Sequence, residues 1–256
     1  MVATVIKKIS MAVASSAIVA LAAGGVAQAA IIVPNELEAT EGNVNNGWPF
    51  SLDFQGRYQQ IFDADEFASL SEPQLISQIA FRPDSDSLNN GTAFSSTLSS
   101  IVINLSTTRS TPNNFSNTFA DNVGVDNITV FTGALSLSSA NQGPVSGPKN
   151  FDIVINLQNP FLYDPTKGNL LLDVKNFAGG NTTQFDAIQS FNRDSVERQL
   201  SFDPNSATAI SQFQDGIGLV TKFTFKSEVP PVPEPSTALG TLVISVWGLG
   251  ALLKRK

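Results

Sequence analysis

FDIVINLQNPFLYDPTKGNLLLDVKNF, residues 151 to 177, decides the class of fold. Phe151, Ile153, Ile155 and Leu157 recur at every second position, the spacing that sends one side of a β-strand into a core. A second β-rich run covers 169 to 177. Between the two lie Asp164-Pro165 and Lys167-Gly168, a turn signal, with Tyr163 expected to pack with its hydroxyl at the edge. The same alternation returns at Ile101, Ile103 and Leu105. It returns again where Phe223 and Phe225 oppose Lys222, Thr224 and Lys226. One oily and one polar face on antiparallel strands imply two sheets packed together.

Working outward, LISQIAFR (75 to 82), NITVFTGALSL (127 to 137), VERQLSF (196 to 202) and GLVTKFTFK (218 to 226) are further β-rich runs. WPFSLDF (48 to 54) and GRYQQIFD (56 to 63) supply one or two more. The only helix-like stretch is short, 63 to 70, with Pro73 close behind. Eight or nine strands with long polar connections predict an all-β fold, an antiparallel β-sandwich that is jelly-roll-like rather than a seven-stranded immunoglobulin type. The connections 83 to 97, 108 to 126 and 139 to 150 are rich in Ser, Asn, Gly and Pro and are expected at the rims. IVINL occurs at 101 to 105 and 153 to 157, read as two buried strands drawing on the same residues.

Composition narrows the chemistry. There are 18 Phe but only 2 Trp and 2 Tyr, and Phe is the aromatic with no polar handle, so the rings are expected inside. The chain has no His and no Cys. That removes Ser-His-Asp hydrolysis, Cys nucleophiles, Cys/His zinc sites and disulfides. The formal charge is −7, and setting aside Lys7, Lys8, Lys254, Arg255 and Lys256 leaves 10 cations against 22 acids, a body near −12. Such a surface repels phosphate backbones, so no nucleic-acid partner is expected.

The two ends are expected to be delivery signals, the alternatives being an uncleaved membrane anchor at the first and a permanent single-span anchor at the second. Lys7 and Lys8, an apolar run from Met11 to Ala23, and Ala27-Gln28-Ala29 have the layout of a secretory signal peptide over 1–29, cut by signal peptidase between Ala29 and Ala30. The body is expected at 30–228. From 229 to 256 come Pro230, Pro231, Pro233 and Pro235, a single hydrophobic helix at about 236–253, and the basic tail 254–256. The uncharged stretch from Ala238 to Leu253 would rise about 24 Å as a helix, at the lower limit for a hydrocarbon core of about 30 Å. Lys254, Arg255 and Lys256 would stay on the cytoplasmic side and stop transfer.

Pro233-Glu234-Pro235, an apolar helix containing Trp247, and the terminal basic cluster together resemble the PEP-CTERM sorting signal of exported Gram-negative bacterial proteins. The resemblance implies recognition by an exosortase, a membrane-embedded enzyme that removes the tail. It also implies an inner-membrane-anchored intermediate, then a place at the cell surface or outside, often in an extracellular polysaccharide layer. GRYQQIFDADEF, LISQIAFRPD, the stretch from 147 to 177 and TTQFDA are similar to uncharacterised β-sandwich domains found in front of this signal, and that similarity names no activity.

Three functional classes stay open. The first is a non-enzymatic exported surface or matrix protein. The second is a carbohydrate-binding jelly-roll module, which predicts an aromatic pair on a concave sheet or convergent Asn, Asp and Gln at a rim. The third is a carboxylate-dependent glycoside hydrolase, which predicts a pocket with two close carboxylates, one with a raised pKa. For metals, Arg82-Pro83-Asp84-Ser85-Asp86-Ser87 leaves a strand with Asp84 and Asp86 spaced as oxygen ligands for a structural calcium, outside any EF-hand pattern. Asp63, Asp65 and Glu66 are a second candidate group. Gly179-Gly180 reads as a turn.

Overall fold

Among the described residues, β-branched and aromatic runs form twelve strands. They are β1 (Ala30–Val33), β2 (Val44–Asn46), β3 (Gly56–Phe62), β4 (Gln74–Phe81), β5 (Phe94–Thr108) and β6 (Ile128–Ser139). They continue with β7 (Ile153–Tyr163), β8 (Asn169–Asn176), β9 (Phe185–Gln189), β10 (Val196–Ser201), β11 (Ile217–Leu219) and β12 (Thr221–Lys226). The computed structural model describes residues 29–85, 92–192 and 195–226. Ala27, Asp86, Pro233, Glu234, Pro235 and the basic cluster Lys254, Arg255 and Lys256 lie outside them. The only helical elements among the described residues are short 3-10 turns, and none is long and apolar enough to cross a membrane.

A four-stranded sheet, β1-β12-β4-β7, faces a five-stranded one, β10-β3-β8-β5-β6, and a small sheet, β11-β9-β2, completes the fold. Every pairing is antiparallel. Four pairs are nested along the chain: β1 with β12, β3 with β8, β4 with β7, and β5 with β6. The turn at 164 to 168 therefore steps from one sheet to the other. The Asp164 carboxylate accepts from the Thr166 N–H there, and the Tyr163 hydroxyl donates to the Gly168 carbonyl at 3.0 Å.

The inner faces carry the alternating residues. Ile101, Ile103 and Leu105 of β5 meet Ile153 and Ile155 of β7, Leu172 and Val174 of β8, and Phe223 and Phe225 of β12 in one core. The two copies of IVINL thus serve opposite sheets. Phe62, Phe67 and Phe223 pack ring to ring at one end, with centroids 5.0 and 5.5 Å apart. Phe50, Phe81 and Phe185 do so at the other, at 5.5 to 5.9 Å. Register defines these ends. Ala30 and Lys226 lie together at one, and Val33, Thr221, Phe81 and Ile153 lie at the other.

Three sequence expectations are corrected. Residues 48 to 54 form a turn rather than a strand, because Pro49 interrupts them and Leu52 and Asp53 adopt left-handed φ of 60° and 50°. The run 218 to 226 breaks at Val220 into β11 and β12, which join different sheets. The connection after β5 also leaves the rim. Phe115 packs on Ile61 and Leu171, on the outer face of the five-stranded sheet. Asn122 donates to Gln59 Oε1 at 3.1 Å, and Gln59 donates to the Phe119 carbonyl at 3.2 Å and to Asp173 at 3.1 Å. Gln199 donates to the same Gln59 oxygen at 3.1 Å. A sheet covered on both faces needs polar side chains that find one another, and these do.

Asn122→Ala removes one of the two donors to the buried Gln59 carbonyl and the acceptor of the Ser116 N–H, and should destabilise the protein by about 1–3 kcal/mol in urea unfolding. Limited proteolysis should then cut first between residues 109 and 126.

Candidate functional site

The most unusual chemistry lies where β4 ends against β9. Phe81 and Phe185 point into the core, so strand alternation turns their successors, Arg82 and Asp186, to the opposite face. The backbones meet there through a bridge between Pro83 and Phe185. The Asp186 N–H donates to the Arg82 carbonyl, and the Asp84 N–H to the Gln184 carbonyl, each at 3.0 Å. Arg82 and Asp186 are thus held side by side and form an ion pair of 2.7 Å, at 1% and 0% exposure. The rest of the guanidinium is also used. It donates to the Leu37 carbonyl at 2.9 Å and the Thr40 carbonyl at 2.6 Å, and its carbon sits 4.9 Å from the Phe151 ring centre.

On the other side of β9, the chain entering β2 brings in Gly42, whose N–H donates to Asp186 Oδ1 at 2.9 Å. A side chain at Gly42 would collide with the Ala187 carbonyl oxygen, so only glycine allows this approach. Glu41 arrives with it. Carboxylate oxygens of Glu41, Asp84 and Asp186 all lie within 4.8 Å of one another. The Ser85 N–H donates to Glu41 Oε1 at 2.8 Å.

Burial dominates the electrostatics. It pushes the Asp186 carboxyl from the ordinary 3.8 up to about 7, against the pull of Arg82 and with Glu41 adding to the push. Burial also raises Glu41, while the Ser85 N–H and its nearby hydroxyl favour the ionised form. Even so, the Ser85 hydroxyl makes no well-formed hydrogen bond, and neither does Glu41 Oε2. The cluster can hold protons or a cation. A raised carboxyl beside another acid is also the hydrolase signature, but Asp84 and Asp186 are buried beyond the reach of a sugar ring.

Of the acids singled out in the sequence, Asp84 joins this cluster. Asp63, Asp65 and Glu66 do not converge: Asp63 caps the Asp65 N–H at 3.0 Å, and Glu66 accepts from the Asn35 N–H at 2.6 Å. Ala29, before the expected leader cut, accepts from the Phe225 N–H at 2.8 Å, and Ala30 opens β1 opposite Thr224. Glu41 and Asp186 escape a sequence reading because they lie 43 and 102 positions from Asp84. The available signal was a charge inside an apolar strand pattern: Arg82 ending LISQIAFR, and Asp186 within TTQFDA.

Two other surfaces bear on function. Near the Phe81 end, Trp48 is met by Phe202 at 5.8 Å and Phe213 at 5.1 Å, both edge-on, with Arg198 5.2 Å over its ring. Phe202 is 53% exposed. At the chain-end side, Thr107, Arg109, Asp121, Asp126 and Lys167 help line a cavity of about 670 Å³. No protein-family model matches the chain, and no curated protein is detectably similar to it.

Asp186 binds its proton more tightly when folded than when unfolded. Its contribution to stability is therefore complete below the unfolded 3.8 and lost as pH rises through about 7. In EDTA-containing buffer, Asp186→Asn should flatten the fall in urea-unfolding free energy over that window. Arg82→Met should destabilise by about 3–5 kcal/mol at pH 8 and by less at pH 5, where Asp186 can take a proton instead of losing its partner.

Proposed function

We propose that this chain is an exported, non-enzymatic β-sandwich protein, sorted through a PEP-CTERM and exosortase pathway and working at the cell surface or in an extracellular polysaccharide layer. The observation that carries this reading is the order of features in one chain. A leader ends at Ala27-Gln28-Ala29, and Pro233-Glu234-Pro235, an uncharged apolar stretch and Lys254-Arg255-Lys256 follow at the far end. Signal peptidase and an exosortase are its processing partners, and the membrane holds the intermediate through the C-terminal segment.

Two structural features support the reading. Strand β1 begins at Ala30, the residue a cut after Ala29 would leave first. Its neighbour β12 ends at Lys226 on the same end of the sandwich, so the two ends of the described body lie together. On this reading a short tether after Lys226 would turn the opposite rim, with Trp48, Phe202 and the Glu41–Asp84–Asp186 cluster, away from the membrane. We further infer that the sandwich is of the jelly-roll kind. The four nested strand pairs, alternating between two sheets, are what supports this, with β2, β9, β10 and β11 as additions.

The carbohydrate-binding reading has one observation in its favour, the half-exposed Phe202 beside Trp48 on the outward rim. These rings meet edge-on and offer at most one stacking face, short of a flat platform. Retention on the producing organism's own polysaccharide that is lost in Phe202→Ala would favour this reading over a purely structural role.

Intact mass of the protein recovered from culture medium and envelope tests the sorting proposal. The expected species starts at Ala30 and lacks Lys254 to Lys256. A mature extracellular protein that keeps those three residues would exclude exosortase processing.

A further inference from the structure

We propose that Glu41, Asp84 and Asp186, together with the Ser85 hydroxyl, form a calcium-binding site that ties three distant segments of the chain together. The acids alone would be an ordinary cluster; what they surround points to a ligand. Ser85 is 6% exposed, and its hydroxyl, beside the Glu41 carboxylate, makes no well-formed hydrogen bond. Glu41 Oε2 is likewise buried and unpartnered. Buried oxygens that make no well-formed hydrogen bond at one spot are what a bound cation satisfies.

Distance and charge agree. Oxygens on opposite sides of a calcium ion, each at about 2.3–2.6 Å, are about 5 Å apart, and the three carboxylates close to within 4.8 Å. Three ionised carboxylates facing the single guanidinium of Arg82 leave a charge of −2, which one divalent cation cancels. Arg82 offers little more, since it already serves Asp186, Leu37 and Thr40. The donor set is all oxygen, in a chain with no His or Cys, which disfavours zinc and copper. An irregular set of four protein oxygens completed by water suits calcium, whereas magnesium demands near-octahedral geometry.

The ligands come from the segment between β1 and β2, from the exit of β4, and from β9. With no disulfide available, the ion acts as the cross-link among them. A site that binds partly through a neutral hydroxyl belongs in the weak range typical of extracellular modules, a Kd of about 0.1–1 mM. Its geometry stands whether or not the chain is exported.

The test uses the full chain in mild detergent, stripped with EDTA and dialysed. Bound calcium is counted by equilibrium dialysis with radioactive calcium, and thermal unfolding is followed by fluorescence. One calcium per chain is expected, with Tm rising several degrees at about 10 mM calcium and much less with magnesium. Asp84→Asn should abolish both binding and the Tm rise. Should that variant not fold, Glu41→Gln, at a less buried position, carries the same expectation. Absence of saturable binding up to about 10 mM, or Glu41→Gln binding as well as the wild type, would overturn the proposal.

Discussion

Burial of phenylalanine between two sheets is the interaction on which the rest of this structure depends. A chain without cysteine must draw its stability from packing, and rings with no polar atom can be enclosed without asking for a partner. The consequence reaches beyond the core. Phe81 and Phe185 are fixed inward at the outward end, and the two-residue period of a strand then dictates that Arg82 and Asp186 face each other on the opposite side. The buried ion pair is thus a by-product of core packing. Its low-dielectric setting explains why Asp186 holds its proton so much more tightly than a surface acid does.

Alternation was legible wherever one face of a strand is oily and the other polar, as at Ile101, Ile103 and Leu105. It misled where a sheet is covered twice. Gln59, Asp173 and Gln199 look like solvent-facing positions, yet they are buried beneath the connection that carries Phe115 and Asn122. A long-range cover of this kind leaves no local trace. WPFSLDF has strand composition, but Pro49 and two left-handed residues make it a turn, an outcome that composition cannot show. Strands of three to five residues, such as β2 and β9, are too short to express a period. In the candidate site, Asp84 was readable from its Asp-x-Asp context. Glu41 and Asp186 join it only through the pairing of β9 with β2 on one side and with the exit of β4 on the other.

The two ends of the sandwich differ in chemistry. At the end where β1 starts and β12 stops, a shallow cavity is lined by exposed charges of both signs, Arg109 and Lys167 against Asp121 and Asp126. At the other, charges are buried, the Trp48 ring is sandwiched among Phe202, Phe213 and Arg198, and three acids converge. On the proposed route the first end sits by the membrane and the second meets the surroundings.

The strand order also constrains when the molecule can finish folding. β12 is the last strand among the described residues, yet it lies inside the four-stranded sheet, between β1 and β4. Until it arrives, β1 has no partner, and Phe223 and Phe225 are missing from the core. The chain must therefore hold an incomplete sheet open until residue 226 is available, and pairings this distant in sequence form slowly. On the proposed export route, a C-terminal segment that halts in the membrane keeps β12 beside the emerged body while that gap closes.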